Sequence, residues 1–173
     1  IHVCETGGFS VWLAHAKIMH GWAVAHLGNP QAGSAEMAAG YALWTSTGAV
    51  VTCAFYLALQ AEARALAGEP EDGLQLLQEA YALVTRHGER YFEPELCRLQ
   101  GQLLLHYKNN SRLSNLDKAQ HWFLLAMSVA QELGMAAFEA RAAQSLAALW
   151  QSQGRLAEAQ ALLASANKVA MIS

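Results

Sequence analysis

Apolar and small residues recur along this chain at helical spacing, and no segment alternates strictly or gathers the β-branched residues of a strand. The clearest stretch is Phe55 to Gly88, FYLALQAEARALAGEPEDGLQLLQEAYALVTRHG, which reads as one helix–turn–helix unit. Small residues hold fixed places in it: Ala61, then Gly73 twelve residues on, then Ala80 seven further. Forty residues earlier the same places hold Gly21, Gly33 and Gly40. Later in the chain they hold Gly101, Ala119 and Ala126, then Ala147, Ala159 and Ala166, with six extra residues inserted once, between Gly101 and Ala119. Met37, Leu77, Phe123 and Leu163 share one bulky apolar place. Internal repetition at a period of 20–50 residues predicts an all-α solenoid, a right-handed superhelical stack of about four helical hairpins.

The frame predicts repeats at about 9–48, 49–88, 89–134 and 135–171 within a single domain spanning 1–173, with residues 1–6 the tail of a preceding helix. Gly8, Gly48, Gly88 and Gly134 each follow an apolar-periodic helix, where a left-handed residue closes the last turn most cheaply as glycine. The first helix is expected over about Ser10 to Leu27, with Ser10 as its N-cap, and the second from Pro30 to about Thr47. Gly28-Asn29-Pro30 and Gly68-Glu69-Pro70, 40 residues apart, are matching stop-and-start signals. The third repeat begins near Tyr91, with Pro94 in the first turn of a helix reaching Tyr107. KNNSRLSN, Lys108 to Asn115, reads as an exposed loop. Helices then follow over Leu116 to Leu133, Met135 to Ser152 and Arg155 to about Met171.

Small residues at fixed places have a physical reading: they let the two helices of a hairpin approach until backbones nearly touch. The large residues between them fill the remaining space. Gly101→Leu should therefore be strongly destabilising.

Composition narrows the function more than the fold. The chain has 173 residues, 54% of them hydrophobic and 14% charged, which argues for extensive burial and against disorder. A formal net charge of −3, from 11 basic and 14 acidic residues scattered along the chain, gives no footprint for nucleic acid or an anionic membrane. The longest apolar run, Gly48 to Leu59, is too short to cross a bilayer. Cys4, Cys53 and Cys97 fit no ligand spacing and read as free, buried thiols suited to a reducing cytoplasm. No signal-peptide pattern opens the chain, and its first residue, Ile1, points to an excerpt of a longer polypeptide.

With the frame fixed, the offsets resemble those of tetratricopeptide (TPR) repeats, although the usual TPR period is about 34 and here it is 40. The aromatic residues typical of the first TPR helix are largely missing. A closer resemblance is carried by WLAHAKIMHGWAVAHLG (Trp12 to Gly28), YLALQAEARALAG (Tyr56 to Gly68), GERYFEPELCRLQGQLLL (Gly88 to Leu105) and ARAAQSLAALWQSQGRLAEAQALL (Ala140 to Leu163). These are similar to a bacterial helical-repeat region that forms the C-terminal part of class III adenylate/guanylate cyclase–ATPase fusions and of ATPase-linked transcriptional regulators. The resemblance implies a protein-interaction or regulatory role in a signalling polypeptide. It carries over no catalytic residue, because the cyclase, P-loop and DNA-binding motifs of that family lie upstream of the region matched.

Candidate chemistry is sparse. His15, His20 and His26 share one helix, and His106 repeats the place of His26. His15 and His20 are five residues apart and His15 and His26 eleven, about 16 Å along a helix, so neither pair chelates one ion. Glu93 and Glu95 flank Pro94 and read as acidic residues favoured at a helix N-terminus. No phosphate-cradling glycine loop and no catalytic triad spacing occurs. The expectation is thus a non-enzymatic chain that needs no cofactor or metal.

What remains is a surface. By analogy with TPR stacks, whose first helices line a concave groove, the groove would carry His15, Ile18, Trp22 and His26 from the first repeat and Phe55, Ala58 and Glu62 from the second. Glu95, Arg98 and Gln102 would come from the third, with Arg141 and Gln144 from the fourth. Trp22, Arg98 and Arg141 are of the types that dominate binding energies. The expected partner is a protein or peptide, other domains of the same polypeptide included. A small effector bound in the groove is the alternative, and self-association through unpaired terminal helices a third.

Overall fold

The computed structural model describes residues 1, 2, 4, 8–107 and 112–170, the side chains of 112 and 167–170 excepted. From Ser10 onward the regular structure consists of eight α-helices and one 3-10 turn, and no strand occurs among the described residues. The fold class is all-α. The helices gather into two compact units, Ile1–Glu89 and Arg90–Ser173.

The first unit holds α1 (Ser10–His26), α2 (Pro30–Ser46), α3 (Cys53–Leu66) and α4 (Pro70–His87). α1 pairs with α2 and α3 with α4, and α3 also packs against both α2 and α1. Asn29 starts α2 by accepting the Ala32 N–H on Oδ1 at 3.3 Å, with Pro30 in the first turn. The cap expected at Ser10 is not formed: Ser10 is already helical, and Phe9 takes the N-cap position without a side-chain hydrogen bond. Ile18, Ala25, Met37, Tyr56 and Ala63 form the core, flanked by Trp22, Tyr41, Trp44, Phe55 and Leu59.

The small positions of all four repeats are buried, and those of the first hairpin explain why. A Cβ on Gly21 would stand 2.7 Å from the Gly33 carbonyl oxygen and 2.9 Å from the Met37 nitrogen. One on Gly33 would collide with the Gly21 carbonyl oxygen and stand 2.6 Å from the Ala25 nitrogen. These neighbours are backbone atoms, so no side chain can swing aside to make room.

Thr52, which precedes α3, has φ +62°, a left-handed conformation costly for a β-branched residue. Its N–H is held by the Glu89 carboxylate, both of whose oxygens lie at 3.1 Å. That contact ties the α2–α3 connection to the residue just after Gly88, where α4 ends.

The second unit opens with the 3-10 turn Arg90–Phe92. It continues with α5 (Glu93–His106), α6 (Arg112–Glu132), α7 (Ala136–Ser152) and α8 (Leu156–Ala170). α6 packs between α5 and α7, α7 also meets α5, and α8 packs on α7. A Cβ on Gly101 would stand 2.6 Å from the ring of Phe123, itself fully buried with Ala119, Leu146 and Leu149. Met37 and Leu77 are likewise fully enclosed, whereas Leu163, on the last helix, is only half-buried.

One boundary differs from the sequence expectation. Residues 108–111 of the expected loop lie outside the described residues, but Arg112 to Asn115 belong to α6, which starts before Leu116. Asn115 is 4% exposed and donates from Nδ2 to the Tyr107 carbonyl at 3.2 Å. A contact to the end of α5 thus anchors Asn115, a residue of low helix propensity, in the first turn of α6.

Candidate interaction surface

In the first unit the predicted surface residues lie along α1 and α3, and they divide into core and rim. Ile18 is fully buried and Ala58 nearly so, both within the packed interior. Trp22 donates from Nε1 to Glu62 Oε2 at 2.8 Å, and the His26 ring stacks on the Trp22 ring with centroids 4.1 Å apart. His26 Nε2 is 3.6 Å from the same Glu62 oxygen, so a protonated His26 adds an ion pair there. His15 and Tyr56 share a hydrogen bond of 2.8 Å, and Phe55 packs half-buried against the core. The histidines are thus joined to neighbours on other helices: His20 lies 2.8 Å from Glu36 of α2.

The second unit presents the equivalent seam between α5 and α7. Arg98 donates to both oxygens of Glu95, from Nε at 2.8 Å and from Nη2 at 2.7 Å, and Arg141 Nη2 reaches Glu95 Oε1 at 2.9 Å. The Arg98 side chain is only 7% exposed and that of Glu95 12%, while Arg141 is 53% exposed. Arg98 therefore belongs to a buried ion pair, where loss of Glu95 would strand its charge. Arg141 is the arginine that faces solvent. Gln144 is exposed beside it and Gln102 half-buried across the seam.

Within each unit the same structural relation recurs. Trp22 and Glu62 are 40 residues apart and hold equivalent places in successive repeats, and Glu95 and Arg141 are equivalent once the insertion is counted. Within the first unit α1 thus lies beside α3, and within the second unit α5 lies beside α7, each pair in matched register.

Toward the C-terminal ends of α5 and α7 the seam opens into a cavity of about 350 Å³. Leu104, Leu149 and Phe123 supply apolar wall, and Gln102, His106 and Ser145 supply hydrogen-bonding groups. Of the predicted surface residues only Gln102 lines it. His106, Ser145, Ala148 and Ser152 were legible in principle: on α7 the positions 141, 145, 148 and 152 follow one another at helical spacing, as 95, 98, 102 and 106 do on α5. What the sequence did not signal was a gap between them.

Burial raises the Cys53 thiol and the Tyr56 phenol above their ordinary values. Tyr41 is pushed up to about 12, by burial first and then by its neighbour Cys53. Arg90 bonds Glu93 at 2.6 Å and Glu132 at 2.7 Å, which holds the Glu132 carboxyl below its usual range. Among the described residues no group of three or more His, Cys, Asp or Glu could hold a metal ion, and no helix is long and apolar enough to cross a membrane.

No protein-family model matches the chain, and comparison with curated proteins gives no significant match.

Proposed function

We propose that this chain is a TPR-like helical-repeat segment that works without catalysis and binds a protein or peptide along the faces of its first helices. It would serve as a scaffold or regulatory part of a larger cytoplasmic signalling ATPase or cyclase. The observation that carries the reading is the matched register of α1 beside α3 and of α5 beside α7, which sets equivalent side chains next to one another. Peptide-binding repeat stacks need such a ruled surface. The family resemblance of Gly88 to Leu105 supports the signalling context, and three cysteines that form no disulfide suit a reducing compartment.

A second reading has an observation of its own. The cavity beside Gln102 and Ser145 lies at the low end of small-ligand pocket sizes, which run from roughly 300 to 1,000 Å³. There the chain would sense a small effector and report to an upstream enzyme.

Cross-linking mass spectrometry on the full-length polypeptide, purified from its source, tests the first reading. Partner or upstream-domain cross-links should fall on α1, α3, α5 and α7. Cross-links confined to α2, α4, α6 and α8 would overturn it.

A further inference from the structure

The seam between α5 and α7 carries two features that the interaction reading leaves unconnected. At its N-terminal end two guanidinium groups, Arg98 and Arg141, face the single carboxylate of Glu95, which leaves one positive charge in excess, on the half-exposed Arg141. The other carboxylates of the two helices are engaged elsewhere: Glu93 with Arg90, and Glu139 with the Gln131 amide at 2.6 Å. At its C-terminal end lies the cavity, apolar on the Phe123 and Leu149 side, with Ala148 exposed at its edge.

Both features sit on one stripe of α7. Arg141 precedes Ser145 by one turn, Ala148 by two and Ser152 by three, so the charge and the cavity are separated by roughly 6–16 Å along the axis. A peptide in polyproline II conformation places residues i and i+3 on one side about 9 Å apart. A β-strand places i and i+4 on one side at about 13 Å. Either spacing bridges the two features.

We propose that this seam recognises a peptide segment carrying an acidic side chain and, three or four residues away, a large apolar side chain, aromatic or leucine. The carboxylate docks on Arg141 and the apolar side chain fills the cavity. The proposal rests on the interaction reading above and names the chemistry of its partner.

Short synthetic peptides with Asp and Phe at spacings of three and four, in a Gly/Ser background, are titrated against the intact chain by fluorescence anisotropy. Matched peptides carry Asn for Asp or Ala for Phe. The Asp–Phe peptide should bind several-fold more tightly than the Asn control, through a charge-assisted hydrogen bond at a half-exposed arginine, and about tenfold more tightly than the Ala control, through burial of the aromatic side chain. Arg141→Ala should abolish the advantage of Asp over Asn and leave that of Phe over Ala. Ala148→Trp, which crowds the edge of the cavity, should do the reverse. Circular dichroism identifies any variant that has lost its fold, and Arg141→Gln, which removes the charge and keeps most of the side-chain bulk, then replaces Arg141→Ala. Equal binding of all peptides, or no binding, overturns the proposal. A free phenylalkanoate binding as tightly as the Asp–Phe peptide also overturns it, in favour of the effector reading. If the full-length protein's cross-links still fall on α1, α3, α5 and α7 while these peptides fail, the interaction reading stands and only this seam assignment falls.

Discussion

At the residue scale the sharpest constraints are the glycines at helix crossings. Gly33→Ala would set a methyl against the backbone of α1, and the helices must separate to admit it. A loss of about 1–3 kcal/mol is expected, read from the denaturant midpoint. Gly101→Leu should cost at least as much, because Phe123 is enclosed and cannot turn aside. Unchanged midpoints in both variants would contradict the crossing geometry.

The two arginines of the α5–α7 seam make a second residue-scale test. Arg98→Ala leaves Glu95, in a nearly dry site, with only the half-exposed Arg141 as partner and should cost about 2–3 kcal/mol. Arg141→Ala removes a half-exposed partner and should cost no more than about 1 kcal/mol. Similar costs from both would show that the burial difference does not govern their energetics. Sequence alone placed the two arginines on one expected groove, from successive repeats, and it had no means to tell the structural one from the accessible one.

At the element scale the informative boundaries are those where tertiary contacts override local preference. Asn115→Ala removes the hydrogen bond to the Tyr107 carbonyl within the first turns of α6 and should cost about 1 kcal/mol. Hydrogen exchange should quicken in that first turn while the rest of α6 stays protected; uniform protection would contradict the role given to Asn115. Thr52 shows the same principle at the start of α3. No sequence rule proposes a β-branched residue at positive φ, and the conformation is over-determined by Glu89 from beyond α4. The helix stops at Gly88 and Gly134 were readable because the left-handed closing residue is a local requirement.

At the scale of the whole molecule, ionisation separates the two units. Cys53, Tyr41 and Tyr56 lie in the first unit, and all three ionise less readily when folded. A raised folded pKa means that their contribution is complete below the unfolded values, about 8.5 for a thiol and 10 for a phenol. It is then lost as the pH climbs through the folded values. The melting of the first unit should therefore fall progressively above about pH 8.5, and Cys53→Ala should remove the earliest part of that decline. Trp22 fluorescence and Trp150 fluorescence, separated by single-tryptophan variants, would report the units individually. A flat melting temperature from neutral pH to pH 11 would contradict the burial of these groups.

The sequence by itself determined the all-α class, the period of 40 with its single insertion, the turns and the buried small positions. Each follows from steric or hydrogen-bonding demands that operate within a turn of helix or recur at a fixed spacing. The tertiary structure decided which surface candidates are core, as with Ile18, and which are buried ion pairs, as with Arg98. It also decided where the α5–α7 seam opens into a cavity. Those outcomes depend on the distance between helices far apart in the chain, set by the volumes packed between them rather than by any local pattern.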